Sequence, residues 1–291
     1  MASSSDLLLV DRSRTVDRAM RIATRPLSPF EEIVDQIRFW IHAVRGMPVA
    51  IVKYRTLVLQ MISDVVIGAG ALVLGGGLLF VIGTMAFFTG TQVGLEGVAG
   101  LRTIGAQSYV GLVSMWANTR EITPLIAGLA IAAKIGAGYT AELGAMRISE
   151  ELDAGEVIGV DTVVYTTSTR LWAAIIPTIP LYLLALFASY QATRVMATEF
   201  FEVSAGAYDQ YFALFLPPLD VIFSLGKALL FVFVVILIHT YYGYYASGGP
   251  AGVGVAVGRA IRLSIVVVVV VNMFLSILFW GVGGETVKIA G

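Results

Sequence analysis

Five stretches of this chain run for about 20 residues or more almost without charge, long enough to cross a hydrocarbon core roughly 30 Å thick. Composition agrees with that reading. Of 291 residues, 57% are hydrophobic and only 13% charged, with a mean hydropathy of +0.85, where an ordinary soluble domain carries about 25% charge. A fold in water could not cover itself with so few charges, so the chain is expected to be an all-α integral membrane protein. Cysteine is absent, which excludes disulfide frameworks, thiolate metal sites and cysteine nucleophiles. The net charge of −1 names no partner, and no nucleic acid is expected.

The spans are placed at about 57–88, 103–133, 171–193, 221–246 and 263–281. In the first, Gly75, Gly76, Gly77 and Gly83 are expected to let another helix approach closely. The second is interrupted by Arg120, Glu121 and Pro124, and neither half alone is long enough, so it reads as one broken span. Pro177 and Pro180 in the third free backbone carbonyls, which a membrane tolerates only where neighbouring helices or water can satisfy them. Lys227 lies inside the fourth, and the β-branched run Val266 to Val271 inside the fifth.

Orientation follows from the positive charges. Nine of the 19 Lys and Arg fall between Arg12 and Arg55, before the first span. With the amino terminus inside, five more (Lys134, Arg147, Arg170, Arg259, Arg262) are cytoplasmic, while Arg102, Arg194 and Lys288 are outside and Arg120 and Lys227 are buried. Five spans then put the carboxyl terminus outside, in a multi-pass protein of the inner (plasma) membrane. The basic segment 1–27 reads as a cytoplasmic tail, without the apolar run of a signal peptide. Ser28, Pro29 and Glu31 make a helix start, and Gly46 with Pro48 a stop. Between them Phe30, Ile33, Val34, Ile37, Ile41 and Val44 recur at helical spacing, so 28–46 is expected to lie as an amphipathic helix in the interface. A soluble helix packed on a cytoplasmic partner is the alternative.

No catalytic signature is present. The two histidines are His42 on the interfacial helix and His239 late in span four, so neither an HExxH zinc site nor a Ser-His-Asp triad has its parts. His239, beside Tyr241, Tyr242, Tyr244 and Tyr245, reads as an interfacial polar group. The glycine-rich Ser247 to Gly254 follows a helix and lacks Gly-Lys-Ser/Thr, so it reads as a turn and not a phosphate loop. The chain needs no cofactor or metal of its own, and energy from ATP would have to come from another subunit.

The densest charge outside the tail lies between spans two and three, in a segment expected to be helical over about 139–159. Ala141, Ala145, Ile148 and Leu152 fall on one stripe, with Glu142, Glu150, Glu151, Asp153 and Glu156 largely elsewhere. A short acidic amphipathic helix under a membrane suits docking to a partner, and a solvated loop helix fits the same pattern.

The run Thr140-Ala141-Glu142-Leu143-Gly144-Ala145-Met146-Arg147, followed by Glu150-Glu151-Leu152-Asp153-Ala154, Gly159-Val160-Asp161 and Arg170-Leu171-Trp172-Ala173, closely resembles the signature of the MlaE/YrbE permease family. The resemblance extends to Arg120-Glu121-Ile122-Thr123-Pro124 and to Gly248-Gly249-Pro250-Ala251-Gly252-Val253-Gly254, and so covers nearly everything after Met47. The basic amino terminus and the Tyr241-Tyr242-Gly243-Tyr244 end of span four resemble the B-type permease of actinobacterial mammalian-cell-entry (Mce) systems. The resemblance implies a permease domain over 57–281 in an ATP-binding-cassette (ABC) lipid transporter. Its partners would be an A-type YrbE permease completing a heterodimer, a cytoplasmic ATPase dimer carrying ATP and Mg, and Mce tunnel proteins outside. The cargo would be fatty or mycolic acids, sterols or phospholipids, with import expected. It makes the 139–159 segment a coupling helix, with Glu142, Arg147, Ile148, Glu150, Glu151, Leu152, Asp153 and Glu156 toward the ATPase. Leu78, Leu79, Phe80, Met85, Phe87, Phe88, Arg120, Glu121, Trp172 and Lys227 form the expected lipid path.

Charges deep in a membrane cost about 2.5 to 3.5 kcal/mol each and usually face a bundle interior in pairs. Lys227 is a candidate partner for Glu121, and Arg120 is open either to an anionic headgroup or to a structural ion pair. Two rival classes remain at this stage. An ion-coupled secondary transporter would use Glu121 and Lys227, but five spans do not divide into equal repeats. A structural membrane anchor for an extracellular lipid-carrier complex would not need the acidic cytoplasmic helix.

Overall fold

The computed structural model describes residues 28–66 and 77–281. The described elements are α1 (Ser28–Lys53), α2 (Arg55–Val66), α3 (Leu78–Arg102), α4 (Gln107–Ile148), α5 (Glu151–Val157), α6 (Val164–Phe200), α7 (Ala205–Phe215), α8 (Pro218–Tyr244) and α9 (Gly249–Gly281). No strand occurs among the described residues. Five helices, α3, α4, α6, α8 and α9, are long and apolar enough to span a bilayer. At 42 and 37 residues, α4 and α6 are about 63 and 55 Å long, so both project beyond the hydrocarbon.

The core is a seam of aliphatic side chains: Leu78, Ile82 and Ala86 from α3, Ile131 and Ile135 from α4, Leu171 and Leu181 from α6, Phe231 to Leu237 from α8, and Val268 from α9. Lipid tails are as apolar as such a seam, so close backbone contact and hydrogen bonds between helices must hold the bundle. Both occur where α3 runs alongside α6. A Cβ added to Gly90 would lie 2.3 Å from the Ser189 carbonyl oxygen, and Thr193 Oγ1 donates to the Gly90 carbonyl at 2.7 Å. Farther round, Asn118 donates to Thr193 (2.9 Å), Thr119 meets Tyr190 (2.5 Å) and Thr123 meets Ser189 (3.1 Å). Arg194 closes α7 onto the end of α6 through both oxygens of Asp209, at 2.8 and 2.9 Å. That guanidinium holds the Asp209 carboxyl below the usual carboxylate range.

Several boundaries differ from the sequence reading. The helix α1 does not stop at Gly46 and Pro48 but continues to Lys53. Gly46 is a contact point, because a Cβ there would come within 2.4 Å of Val164. The first spanning helix is α3, Leu78–Arg102, which overlaps the span expected at 57–88 only from Leu78 on and runs past Phe88 and Glu96, whereas 57–66 belong to α2. Gly75 and Gly76 lie outside the described residues. Gly83 has open space where a Cβ would go, so the close approach falls instead on Gly90. His239 is not interfacial: it is buried between α8 and α4, its Nδ1 2.8 Å from Thr140 Oγ1. The glycine-rich segment is a tight turn, with positive φ at Gly248 and Gly249, and α9 starts inside it.

At about 100° per residue, α1 presents three faces. Phe39, Ala43, Gly46 and Ala50 are buried against the bundle, Ile33, Ile37, Ile41 and Val44 form an exposed apolar stripe, and Asp35, Arg38, His42 and Arg45 lie between the two. Trp40 Nε1 donates to the Leu237 carbonyl (3.0 Å) and Trp172 Nε1 to the Met47 carbonyl (2.9 Å). These bonds fix α1 across the start of α6 and the end of α8. Gly281 ends near the opposite pole, where Trp280 Nε1 donates to Asp220 in the first turn of α8 at 3.0 Å.

Candidate functional site

Arg120 and Glu121 sit in a π turn, Asn118–Ile122, inside α4. The Thr123 N–H bonds five residues back to the Asn118 carbonyl, which leaves the Thr119 carbonyl without its α-helical donor. Pro124 has no N–H to offer the carbonyl four residues back, at Arg120. Helix α8 supplies both missing donors from residues one turn apart: the Ser224 hydroxyl reaches the Thr119 carbonyl, and Lys227 Nζ reaches the Arg120 carbonyl at 2.5 Å. The break read from the sequence is therefore a continuous helix with a widened turn, repaired from its neighbour.

Four charges close on one another around that turn. Lys227 Nζ lies 3.4 Å from Glu121 and donates to Ser276 at 2.7 Å. Glu121 also accepts from Asn272 (2.8 Å) and Ser276 (2.5 Å), so α4, α8 and α9 meet at one carboxylate. The Arg120 guanidinium donates to Asp220 Oδ2 from Nε at 2.8 Å and from Nη2 at 2.7 Å. The Trp280 ring lies 5.3 Å from Arg120 and 5.4 Å from Lys227. Two cations and two carboxylates sum to zero. Arg120 is only 5% exposed, which leaves a headgroup no open face of the guanidinium.

The residues expected along a lipid path fall into three surroundings. Leu78, Arg120 and Lys227 are interior, with Glu121 partly buried beside them and Met85 packed against the core. Leu79, Phe80, Phe87 and Phe88 form an outward face of α3, with Phe88 70% exposed. Trp172 holds α1. Asp220, which the sequence reading missed, was visible as a carboxylate opening an apolar run two turns before Lys227 and on its face.

At the α1 end of the bundle, α4 stops at Ile148, Glu150 takes a left-handed conformation (φ 60°), and α5 follows. The expected coupling residues divide here too. Leu152 is buried against Phe39, Tyr241 and Tyr244, so it is not a docking anchor. Glu142 pairs inward with the buried Arg170 at 2.7 Å. Glu156 accepts from Tyr244 (2.9 Å) and Thr162 (3.1 Å). Arg147 and Asp153 bond each other at 2.6 Å. Facing outward are Ile148, Glu150, Glu151 and, unanticipated, Val157 and Ile158, 87% and 79% exposed. The stripe read from the sequence ended at Leu152 and passed over this pair, although Val157-Ile158 is an adjacent pair of β-branched apolar residues at the end of an acidic segment.

The family model described as Permease MlaE matches residues 67–278. A probable ABC transporter permease protein of Rickettsia bellii is 31% identical over 188 residues, which is 65% of this chain and 73% of that one. One of Synechocystis is 29% identical over 182 residues (62% and 69%). The chloroplastic protein TRIGALACTOSYLDIACYLGLYCEROL 1 of Arabidopsis thaliana is 25% identical over 185 residues (64% and 53%). The family match takes in the first four spanning helices, α9 as far as Leu278, the π turn with its four charges and the α4–α5 loop, and on that basis the chain belongs to the MlaE family of ABC transporter permeases.

Proposed function

We propose that the chain is the B-type half of an Mce-type permease heterodimer that moves hydrophobic lipids, in the import direction, on energy from a separate ATPase dimer. The observation that carries this reading is the exposed Val157–Ile158 tip. It stands among Glu150, Glu151 and Asp153, and Leu152 and Glu156 tie it into α8 and α1. Apolar anchors ringed by charge give a small interface affinity and register together. Force delivered at the tip reaches the membrane through side chains already in contact. The Arabidopsis relative bears the name of a glycolipid, which supports a lipid cargo. Acyl chains are assigned to the outward face of α3, Leu79, Phe80, Phe87 and Phe88, and the A-type permease to the apolar flank of α9. Arg120 is reassigned from headgroup binding to the structural pair with Asp220.

Burying each tip side chain is worth about 1.5 to 3 kcal/mol. Val157→Asp with Ile158→Asp should therefore weaken ATPase capture by on the order of 100-fold or more, leaving the permease in the membrane. Reversal of Glu150 and Glu151 to Lys should also release the ATPase. Full retention by both variants would move docking to the Gly248 to Arg259 segment, and ATP-independent transport would overturn the reading altogether.

A further inference from the structure

A groove of about 660 Å³ lies between α1 and the start of α6, and no role assigned above uses it. Three cations line it: Arg38, Arg45 and Lys53, on one side of α1. Their axial spacings are about 10 and 12 Å. Among the described residues none is spent on a strong partner. Arg38 meets only Asp35, at 3.8 Å with both groups exposed, and Lys53 lies over the Tyr54 ring at 5.3 Å. Neither Arg45 nor Lys53 has an acidic partner among the described residues. The one carboxylate in the wall among the described residues, Asp161, is committed elsewhere. Its Oδ2 meets His42 Nε2 at 2.7 Å, and its Oδ1 caps α6 by accepting from the Val164 N–H at 3.1 Å. The groove therefore keeps an excess of positive charge.

Apolar surface adjoins it on one flank. Ile41 and Val49 line the groove, and Ile33, Ile37 and Val44 continue the exposed stripe along the same helix. Cations beside an exposed apolar face fit one ligand chemistry, a phosphodiester with acyl chains attached. We propose that this groove binds the headgroup of an anionic phospholipid from the leaflet in which α1 lies, separate from any lipid being transported. Arg38, Arg45 and Lys53 hold the phosphate, and Ile41, Val44 and Val49 take the start of the chains. Basic pockets at the membrane surface recognise anionic headgroups in this way. The occupied site pins α1 and, through Gly46 against Val164, the start of α6. The proposal rests on the chain crossing a membrane and not on its coupling to ATP.

Photo-crosslinking tests it, on the full chain in its complex, in phosphatidylcholine vesicles doped with either diazirine-bearing phosphatidylglycerol or diazirine-bearing phosphatidylcholine. Expected is labelling of α1 peptides by the anionic probe, at roughly tenfold or more over the zwitterionic one. Arg38→Gln with Arg45→Gln and Lys53→Gln should remove the preference, while Arg38→Lys with Arg45→Lys should keep most of it. Equal labelling by the two probes, or an unchanged preference in the triple Gln variant, would overturn the proposal. Loss of labelling in inorganic phosphate or glycerol phosphate, at ionic strength matched with chloride, would make the occupant a free phosphate. Protection of the groove by a copurifying subunit would make it a protein interface, and either result defeats the lipid assignment. Should the triple variant fail to accumulate, the probe preference and the competition arms of the unaltered chain decide the matter.

Discussion

Arg120 and Lys227 carry like charge into one bundle, and they differ in what would be stranded if either were lost. Removing Arg120 leaves the buried Asp220 carboxylate with only the Trp280 N–H among the described residues. An uncompensated charge of that kind costs about 3 to 5 kcal/mol. Arg120→Ala should therefore lower thermal stability and yield of the purified permease, and adding Asp220→Ala should recover part of the loss, since the stranded charge is then gone. Strictly additive damage would mean the pair is not coupled, and a stable Arg120→Ala that fails only in transport would restore a headgroup role. Lys227→Met takes away a carbonyl donor as well as Glu121's partner. It should accordingly hurt more than Glu121→Gln, whose amide oxygen can still accept from Asn272 while its NH2 donates to the Ser276 hydroxyl. Lys227 as partner to Glu121 was legible from charge economy alone. The bond from Lys227 to the Arg120 carbonyl was not, because a sequence shows that Pro124 removes a donor without showing which helix replaces it.

Glycines show how much of an element depends on its neighbour. In the sequence Gly83 and Gly90 look alike, yet one faces open space and the other faces the backbone of α6. Gly83→Ala should stabilise α3 by up to about 1 kcal/mol, through helix propensity and a less free unfolded chain. Gly90→Ala must push α3 off Ser189 and should cost about 1 to 3 kcal/mol. Thermal unfolding of the two single variants tests the contrast, and a shared sign would mean the α3–α6 contact is not tight. The same limit explains α1 and the α4–α5 loop. Helical periodicity located both elements, but it gave each only one apolar stripe and could not tell a stripe facing protein from one facing lipid or a partner. On α1 the legible stripe, Ile33 to Val44, is the exposed one, and the small residues Ala43, Gly46 and Ala50 make the contact. On the loop the stripe residue Leu152 is buried, and the tip Val157–Ile158 is bare.

For the molecule as a whole, the count of five spans was readable because hydrocarbon thickness sets a length that charge-free runs report directly. Where each span begins was less legible, since α4 and α6 continue past the membrane as helix and no composition change marks the crossing. The described fold puts α1, the α4–α5 loop and the Tyr241 to Tyr245 cluster at one pole, and Asp220, Trp280 and Gly281 near the other. Among the described residues, Arg38, Arg45, Lys53 and Arg147 lie with the first pole. Because an excess of Lys and Arg is retained in the cytoplasm during insertion, that pole is expected inside and the carboxyl terminus outside. A reporter active only in the cytoplasm should then signal when inserted after Ser28 and fall silent when fused after Gly291. The converse pattern would place the Val157–Ile158 tip on the side without ATP, and the ATPase docking proposed for it would fail with the topology.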